Sequence, residues 1–505
     1  MIKKLFLGLC TCFVCAALSA QDFGFGFDSS GSDDESKSGN LKPKAVFGGE
    51  VSASLAGYFD DFKGGFAATK LGDVFTGKLD FSAHNSFADG IINLKFSPVF
   101  DGSVSPVTID EAYLAAFFRN FSLEGGLRKL TWGRADSFGP LDIINPIDYS
   151  DLSIMGKVAD MKIARPLIHG SFKFGSFTKL EAVFIPTFKG HNFAYSKTNR
   201  WMPSQFTNVS SSFSGTILRN PDLAQAFMLA PNGPAVIEQG MNDRMDQFID
   251  YIPEAEKIFT SLKYAQAGLR FTTTMKSADF GVQYFYGNMF RPSIGVAMID
   301  DFQKSLKYAA MAAASTGEFD ENLVRDAFDK LQFDMLYNRY HHAGIDYAQV
   351  IAGFNIRVEA AAIITNDLSG DKGDVYNPQI AWSVGFDRDL FWGINLNLQA
   401  NENVRLLHSK TGTDQFFDIE NGTDITSTRI TAVLSKKFLR DEFEIKASGL
   451  WGIEDKDFLI LPSITWTKND VTVELAGGIF GGSKDGELGQ YKDNDFIKAA
   501  VRYRF

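Results

Sequence analysis

From residue 44 to the C-terminus, polar and apolar residues alternate at every second position over successive segments. Residues 394–401 read INLNLQAN, residues 354–362 read FNIRVEAAA and residues 443–451 read FEIKASGLW. In an extended chain this alternation places the apolar side chains on one face and the polar side chains on the other. The pattern therefore predicts an all-β fold built from amphipathic strands.

Three features favour an antiparallel β-barrel that spans a membrane over a soluble β-sandwich or β-solenoid. The alternating segments reach the roughly 9–11 residues that a tilted strand needs to cross a bilayer. Short turns rich in Asn, Asp, Gly and Lys separate them, and aromatic residues such as Phe391, Trp392 and Trp451 lie near segment ends. The 48 phenylalanines would promote aggregation on a water-exposed face, whereas a lipid-facing surface requires apolar side chains.

Composition excludes two other classes of protein. After residue 20, the 505-residue chain has no uncharged apolar run near the ~20 residues of a membrane-spanning helix, and its mean hydropathy is −0.08. A polytopic helical membrane protein is therefore excluded. The net charge of −11 argues against a nucleic-acid partner, because binding of phosphates needs a basic surface.

The N-terminus has the layout of an export signal. Lys3 and Lys4 precede an apolar stretch that ends in small residues, which predicts a signal peptide over residues 1–20, cut after Ala20. An anchor helix, or lipidation at one of the cysteines, remains an alternative. Cleavage would remove all the cysteines, Cys10, Cys12 and Cys15. Residues 21–43 are rich in Gly, Ser and Asp and are expected to be a flexible acidic segment.

The C-terminus ends in an amphipathic strand with Tyr503 and Phe505 on its apolar face. Such an ending resembles the assembly signal of bacterial outer-membrane barrels, which implies barrel-assembly machinery and outer-membrane lipid as partners. Together with the export signal, it predicts localisation in the outer membrane.

Two stretches interrupt the alternation, at residues 190–262 and 289–339. Helical periodicity predicts helices at 220–229, 243–259, 298–314 and 321–337. The remaining length of the barrel region, residues 44–505, suits about 16–18 strands, and the number should be even. The insertions are expected either to cap the barrel rim or to carry function.

A motif follows the first strands of the barrel. Residues 110–114 read DEAYL, residues 132–136 read WGRAD and residues 140–149 read PLDIINPIDY. Here the chain resembles a family of uncharacterised porin-like outer-membrane barrels, in which DEAYL, WGxAD and NPxDY follow in this order. The resemblance implies an outer-membrane barrel that passes small molecules and supplies no established catalytic residue.

The segment 132–160 is the predicted selectivity loop, because Pro140 and Pro146 stiffen it and it carries charges of both signs. Its candidate residues are Trp132, Arg134, Asp136, Asp142, Asn145, Asp148 and Tyr149. The alternative is that these charges only hold the loop in place. Alternation predicts the lumen-facing charges Arg357, Glu359, Glu444, Lys446, Glu474, Arg502 and Arg504, whose mixed signs predict no strong ion preference.

The sequence favours a passive channel for small-molecule solutes over an enzyme. The six histidines form no recognisable catalytic pattern, and His341 and His342 would face opposite sides of a strand, so we expect no metal site and no cofactor. Two alternatives remain open, a transporter of hydrophobic compounds and a surface adhesin or binding barrel. A homo-oligomer is also possible.

Overall fold

The computed structural model describes residues 44–59, 75–96, 107–196, 199–204, 233–255, 259–316, 320–411 and 418–505. The predicted signal peptide, the acidic segment and the predicted helix at 220–229 lie outside the described residues. Within the described ones, the segments that alternate with period two are strands, as the sequence predicts.

Twenty strands occur in the described part of the chain. In chain order they are β1 Lys44–Tyr58, β2 Phe75–His84, β3 Ala88–Phe96, β4 Val107–Phe117, β5 Phe121–Arg128, β6 Arg165–Phe174, β7 Thr178–Ile185, β8 Gln266–Met275, β9 Ala278–Asn288, β10 Ser293–Ala297, β11 Gln332–Leu336, β12 Arg339–Ile351, β13 Phe354–Thr365, β14 Gln379–Asp389, β15 Ile394–Arg405, β16 Thr426–Phe438, β17 Phe443–Gly452, β18 Asp457–Lys468, β19 Val471–Gly482 and β20 Phe496–Arg504.

Eighteen of these strands form one closed antiparallel β-barrel, which confirms the predicted fold class. Each strand pairs with the next one, β9 pairs with β12 across the intervening hairpin of β10 and β11, and β20 pairs with both β19 and β1. At the closure, the N–H of Phe505 donates to the carbonyl of Gly49 at 3.0 Å, and the N–H of Gly49 donates back at 2.9 Å. The β1–β20 pairing thus leaves no free sheet edge.

The two ends of the barrel differ in their connections. At the short-turn end, pairs of strands are joined by two-residue turns at 276–277, 352–353 and 469–470. Lys276, Ala352 and Asn469 adopt left-handed φ angles of 57°, 51° and 52° there, as tight hairpins require. The start of β1 and the end of β20 also lie at this end. The long-loop end carries the motif segment and both insertions.

Outer and inner faces follow the predicted alternation. On β9 and β12, the outward side chains Val282 and Ile345 are 54% and 59% exposed, whereas the inward neighbours Gln283 and Asp346 are 2% and 4% exposed. Aromatic rings form an outer belt at the short-turn end, with contacts Phe47–Phe81, Phe47–Phe505, Phe172–Phe174, Phe280–Tyr347, Phe354–Phe386, Phe438–Phe443 and Phe443–Trp466. These contacts involve ten of the 48 phenylalanines, and the belt suits an interfacial girdle.

Four α-helices lie among the described residues: α1 Val158–Met161, α2 Gly233–Ala255, α3 Ile299–Thr316 and α4 Glu321–Phe328. None of the described helices is long and apolar enough to cross a membrane. The predicted helix at 298–314 is confirmed. The described part of α2, Gly233–Ala255, contains residues 243–255 of the helix predicted at 243–259 and also the ten residues before them.

The prediction of a helix over 321–337 is wrong beyond residue 328. Asp320 caps α4 by accepting a hydrogen bond from the N–H of Asn322 at 2.9 Å, and the helix ends at Phe328. Residues 332–336 instead form β11, which pairs with β10. The β10 strand supplies the backbone hydrogen bonds that a longer helix would have made within itself.

The two insertions pack against each other around their own apolar core. Met241 of the first insertion and Phe302, Leu306, Val324 and Phe328 of the second belong to one cluster of fully buried side chains. Met245 and Phe248 of α2 join Met335 and Tyr337 in a second cluster. The insertions therefore bury these apolar residues between them, at the long-loop end.

We predict that barrel closure is sensitive to a single methyl group at Gly49. A Cβ there would lie 2.6 Å from the carbonyl oxygen of Lys78 and 2.7 Å from the Phe505 ring, so Gly49→Ala should destabilise the barrel by about 1–3 kcal/mol. Gly125→Ala is the matched control, because a Cβ at Gly125 meets nothing within 4 Å. Urea unfolding in detergent micelles measures both variants, and equal stabilities would contradict the prediction.

Candidate functional site

The segment between β5 and β6, residues 129–164 (the motif loop), folds into the barrel lumen. It includes the predicted loop 132–160 and contacts inward side chains of β9, β12, β13 and β15. Gly133 has a φ of +90°, and a Cβ there would lie 2.6 Å from Oε1 of Glu359. Glycine therefore allows the loop backbone to approach the barrel wall closely.

Glu359 on β13 is the main backbone anchor of the motif loop. Its Oε1 accepts hydrogen bonds from the N–H groups of Arg134 and Ala135, the latter at 2.8 Å, and its Oε2 accepts one from Leu141 at 3.3 Å. The residue is 1% exposed. One wall carboxylate thus satisfies three loop donors that are shielded from bulk water.

Arg134 joins the loop to the wall through charge. Its Nε lies 2.5 Å from Oδ1 of Asp346 on β12, and its guanidinium lies 3.1 Å from Asp279 on β9. Arg270 on β8 also pairs with Asp346, at 2.6 Å. A buried aspartate that is neutralised by two arginines forms a network whose disruption would leave an unpaired charge.

Asp136 extends the attachment to β13–β15. It forms an ion pair with Arg357, which also pairs with Asp387, and it accepts a hydrogen bond from Asn397 at 2.7 Å. The N–H of Asp136 donates to Oε1 of Gln399 at 3.0 Å. The loop tip is therefore held by side chains on β13 and β15, and Asp387 on β14 holds Arg357 in place.

Trp132 and Asn145 are buried at the base of the motif loop. Trp132 is 2% exposed and packs in an apolar cluster with Ile144 and Phe285. The side chain of Asn145 accepts from the N–H of Leu130 at 2.7 Å and donates to the carbonyl of Ile163 at 2.8 Å. These two predicted site residues tie the loop together at its base.

Asp142, Asp148 and Tyr149 lie where the loop meets its neighbours. Asp142 pairs with Lys162 at 2.6 Å, although burial raises the pKa of its carboxyl group. Asp148 accepts a hydrogen bond from the Asn192 side chain at 2.9 Å, and Tyr149 stacks on Phe193 with ring centroids 5.5 Å apart. The first part of the 190–262 insertion thus rests directly on the motif loop.

His191 in this insertion binds the loop through its neutral imidazole. Its Nδ1 accepts a hydrogen bond from the N–H of Ile147 at 2.9 Å. Burial, with the charge of Arg291 nearby, lowers the pKa of His191 to about 3. The imidazole is therefore neutral at neutral pH, as an acceptor must be.

The far end of the loop crosses to the opposite wall. Lys157 pairs with Glu474 on β19 at 2.8 Å, and Asp160 lies 3.5 Å from Lys78 on β2. Glu474 also pairs with Arg502 on β20. The motif loop therefore spans the lumen from β13–β15 to β19 and β2.

The loop divides the lumen wall into a covered half and a solvated half. On the covered half, many inward residues of β6–β15 are each 8% exposed or less. They are Arg165, His169, Ser171, Glu181, Arg270, Gln283, His342, Asp346, Glu359, Ser383 and Gln399. We call the inner faces of β16–β20 and β1–β4 the solvated arc. There the side chains of His84, Lys78 and Lys95 are 43%, 41% and 32% exposed, whereas that of Glu474 is 12% exposed and Thr431 and Ser448 are buried.

The predicted lumen charges are divided between these halves. Arg357 and Glu359 contact the loop on the covered half. Glu444 and Lys446 alternate with the outward Ile445 on the solvated arc, where Glu474 and Arg502 also lie. Arg504 pairs with Glu50 at 3.1 Å near the short-turn end.

Sequence reasoning missed the loop contacts of Asp346 and Gln399 on the wall and of His191 in the insertion. It also missed Arg270, which pairs with Asp346. Alternation places Gln399 on the polar face of residues 394–401, but it carries no signal about which loop residue this side chain contacts. Within the described part of the chain, no group of three or more His, Cys, Asp or Glu side chains could hold a metal ion.

Comparison with known proteins gives only distant likenesses. No family model matches the chain, and no curated protein matches it. Among solved structures it is similar to OpdQ of Pseudomonas aeruginosa, with 8% identity, a TM-score of 0.47, and 92% of this chain and 97% of that chain covered. OccK3 of the same organism has 8% identity and a TM-score of 0.45, with 92% and 95% covered.

A third similar structure is Wzi of Escherichia coli, described as a carbohydrate-binding β-barrel involved in capsule assembly. It has 11% identity and a TM-score of 0.43, with 92% of this chain and 85% of that chain covered. At these identities and TM-scores the likenesses carry no argument about what this chain does.

We predict that Glu359→Ala releases the motif loop. The variant leaves three buried loop N–H groups without their acceptor, each worth about 1–3 kcal/mol, so trypsin should cleave within the loop at Arg134, Lys157 or Lys162. Glu444→Ala removes a lumen carboxylate that makes no contact with the described loop, and it should stay as resistant as the parent chain. Equal resistance of both variants would contradict the anchoring role.

We predict that acid weakens the loop attachment through His191. Between pH 6.5 and about 3 the unfolded chain binds a proton at this position and the folded chain does not, so stability falls by up to about 1.4 kcal/mol per pH unit. His191→Gln supplies an amide oxygen that does not titrate and should flatten this dependence. The measurement is urea unfolding at pH 7, 5.5 and 4, and identical slopes for both proteins would refute the prediction.

Proposed function

We propose that this chain is an outer-membrane channel for the passive passage of small solutes. The observation that carries the proposal is the division of the lumen wall. The motif loop covers one half, and the solvated arc keeps charged side chains accessible along the other. Solutes would pass along this arc, between the motif loop and the walls of β16–β20 and β1–β4.

The fixed position of the loop gives the channel its mechanism. Eighteen strands enclose a lumen too wide for wall side chains alone to fill, so a rigid inserted loop sets the width of the passage. Charges along the arc occur in pairs, such as Lys95 with Asp110 at 2.8 Å and Arg504 with Glu50. Mixed pairs favour polar solutes without a strong overall preference for one ion sign.

The outer-membrane location is part of the proposal. Short turns and both barrel-strand termini at one end suit a bacterial barrel, in which that end faces the periplasm. The predicted signal peptide and the terminal Phe505 support export and assembly by the same route. Assembly by barrel machinery and a homo-oligomeric state stay predictions.

The described insertions give less support to a transporter of hydrophobic compounds. Their buried apolar side chains, including Phe302 and Phe328, pack against each other in a closed core. An apolar binding surface would instead require such residues to be accessible at the long-loop end. An adhesin or partner-binding role stays a prediction that the channel measurement below also tests.

His84 lies between an aspartate and a serine, which is the arrangement of side chains in a serine hydrolase triad. His84 Nδ1 lies 3.0 Å from Asp89, and its Nε2 lies 3.0 Å from the hydroxyl of Ser82. Ser82 is in the middle of paired strands, where β1 and β3 occupy the backbone groups on both sides of β2. Catalysis of acyl transfer needs free donors for the oxyanion, so the arrangement favours a structural hydrogen-bond chain.

We predict steady, small single-channel openings for the purified protein in planar bilayers. Glu359→Ala should give larger or noisier openings, because it frees the loop from the wall, while Gly125→Ala on the outer face should match the parent chain. Absence of any conductance in the folded parent protein would contradict the channel and favour a binding barrel.

A further inference from the structure

A cavity of about 530 Å³ lies at the short-turn end of the lumen, between β4 and β7. We call it the mouth cavity. It reaches from the turn at 118–120 up to residues 129–131, where the motif loop begins. Its volume is within the range of small-molecule binding sites. Its lining includes the first residues of the motif loop, Lys129 to Thr131, and His169, Ser171 and Glu181 of the covered half.

Cations outnumber anions around the mouth cavity. The positively charged lining residues are Arg119, Arg128, Lys129, Lys173 and Lys179, and the negatively charged ones are Glu124 and Glu181. Lys129 is also paired with Asp110, at 2.8 Å. The cavity therefore keeps a positive excess after this outside partner is included.

Both carboxylates of the cavity are already engaged by neighbouring side chains. Glu124 pairs with Arg128 and lies 3.0 Å from Nδ1 of His169. Glu181 lies 3.2 Å from Nε2 of His169 and 3.0 Å from Lys179. Neither carboxylate is left to neutralise the remaining cations.

Two of those cations lack a counterion among the described residues. Arg119 and Lys173 form no ion pair with any residue in the described ranges, although both line the cavity. Lys173 lies directly opposite Lys179 across the β6–β7 pair. Like charges at directly opposed positions destabilise a sheet, and a bound anion between them would remove that cost.

The lysines face the lumen, not the lipid. Lys173 alternates with Phe172 and Phe174, which are 39% and 50% exposed on the outer face, and Lys179 precedes the outward Leu180. Ser122 and Ser171 lie in the same cavity with their hydroxyl oxygens 2.8 Å apart. Cationic and hydroxyl donors on the lumen side suit the oxygens of a dissolved anion.

We propose that the mouth cavity is a binding subsite for the carboxylate or phosphate group of a small solute that passes through the lumen. Arg119, Lys173 and Lys179 would contact the anionic oxygens. Of Ser122 and Ser171, the hydroxyl that accepts the hydrogen bond between them would donate its own proton to the anion. The identification of the ligand as a permeating solute rests on the proposed channel function. The anion site itself rests on the cavity and its unpaired cations.

Isothermal titration calorimetry tests the site with inorganic phosphate and with succinate on the full-length protein in zwitterionic detergent. The double variant Lys173→Gln and Lys179→Gln should bind either anion about tenfold more weakly for each cation removed. Lys468→Gln is the matched control, because this exposed lysine lies at the same end of the barrel, at the β18–β19 turn. Equal affinities in the parent and double variant, or equal weakening in the control, would overturn the proposal.

Reversal potentials in a salt gradient separate this proposal from the channel function. The double variant should become less permeable to anions relative to cations, while Lys468→Gln should not. If the protein does not conduct but phosphate binding still depends on the two lysines, the channel fails and the site stands. If the protein conducts but neither its ion preference nor its phosphate binding depends on the two lysines, the anion site is wrong and the channel function stands. Each variant should show the same heat-induced shift in gel migration as the parent chain, which confirms that it folds.

Discussion

Closure of the sheet between β1 and β20 is the constraint on which the rest of the structure depends. Backbone N–H and C=O groups that face hydrocarbon find no water, so a spanning sheet must pair every strand edge. The reciprocal hydrogen bonds between Gly49 and Phe505 complete this pairing at the last residue of the chain. Closure also places both strand termini at the short-turn end, which leaves the opposite end for the long insertions.

A closed sheet of eighteen strands creates a second problem, because its polar interior must be filled or solvated. The motif loop meets this requirement with charge pairs instead of apolar contacts alone. Asp346 has no exposed side-chain surface and lies between Arg134 and Arg270, and Glu359 receives three loop N–H groups. Each buried wall charge would be costly without the loop, so wall and loop stabilise each other.

Alternation made the strands and their inward residues predictable, because a period of two assigns a side chain to a face. It could not assign partners, since Arg134 and Asp346 are 212 residues apart and meet only through the barrel register. Trp132 and Asn145 were predicted for the loop, but their burial at its base depends on contacts with Ile144 and Ile163 that composition does not encode. Residues 332–336 had helical spacing and became a strand, because β10 offered a tertiary pairing that local propensity ignores.

A cross-link between the loop tip and the wall tests the central claim most directly. Asp136→Cys and Asn397→Cys, in a chain in which Cys10, Cys12 and Cys15 are replaced, place two thiols where the native side chains lie 2.7 Å apart. If the motif loop lies across the lumen, mild oxidation or a short bifunctional reagent should join the two positions in native membranes. Single-channel conductance should then stay as it was before cross-linking. Failure of the pair to cross-link, or a large fall in conductance once it does, would contradict a loop fixed against β15.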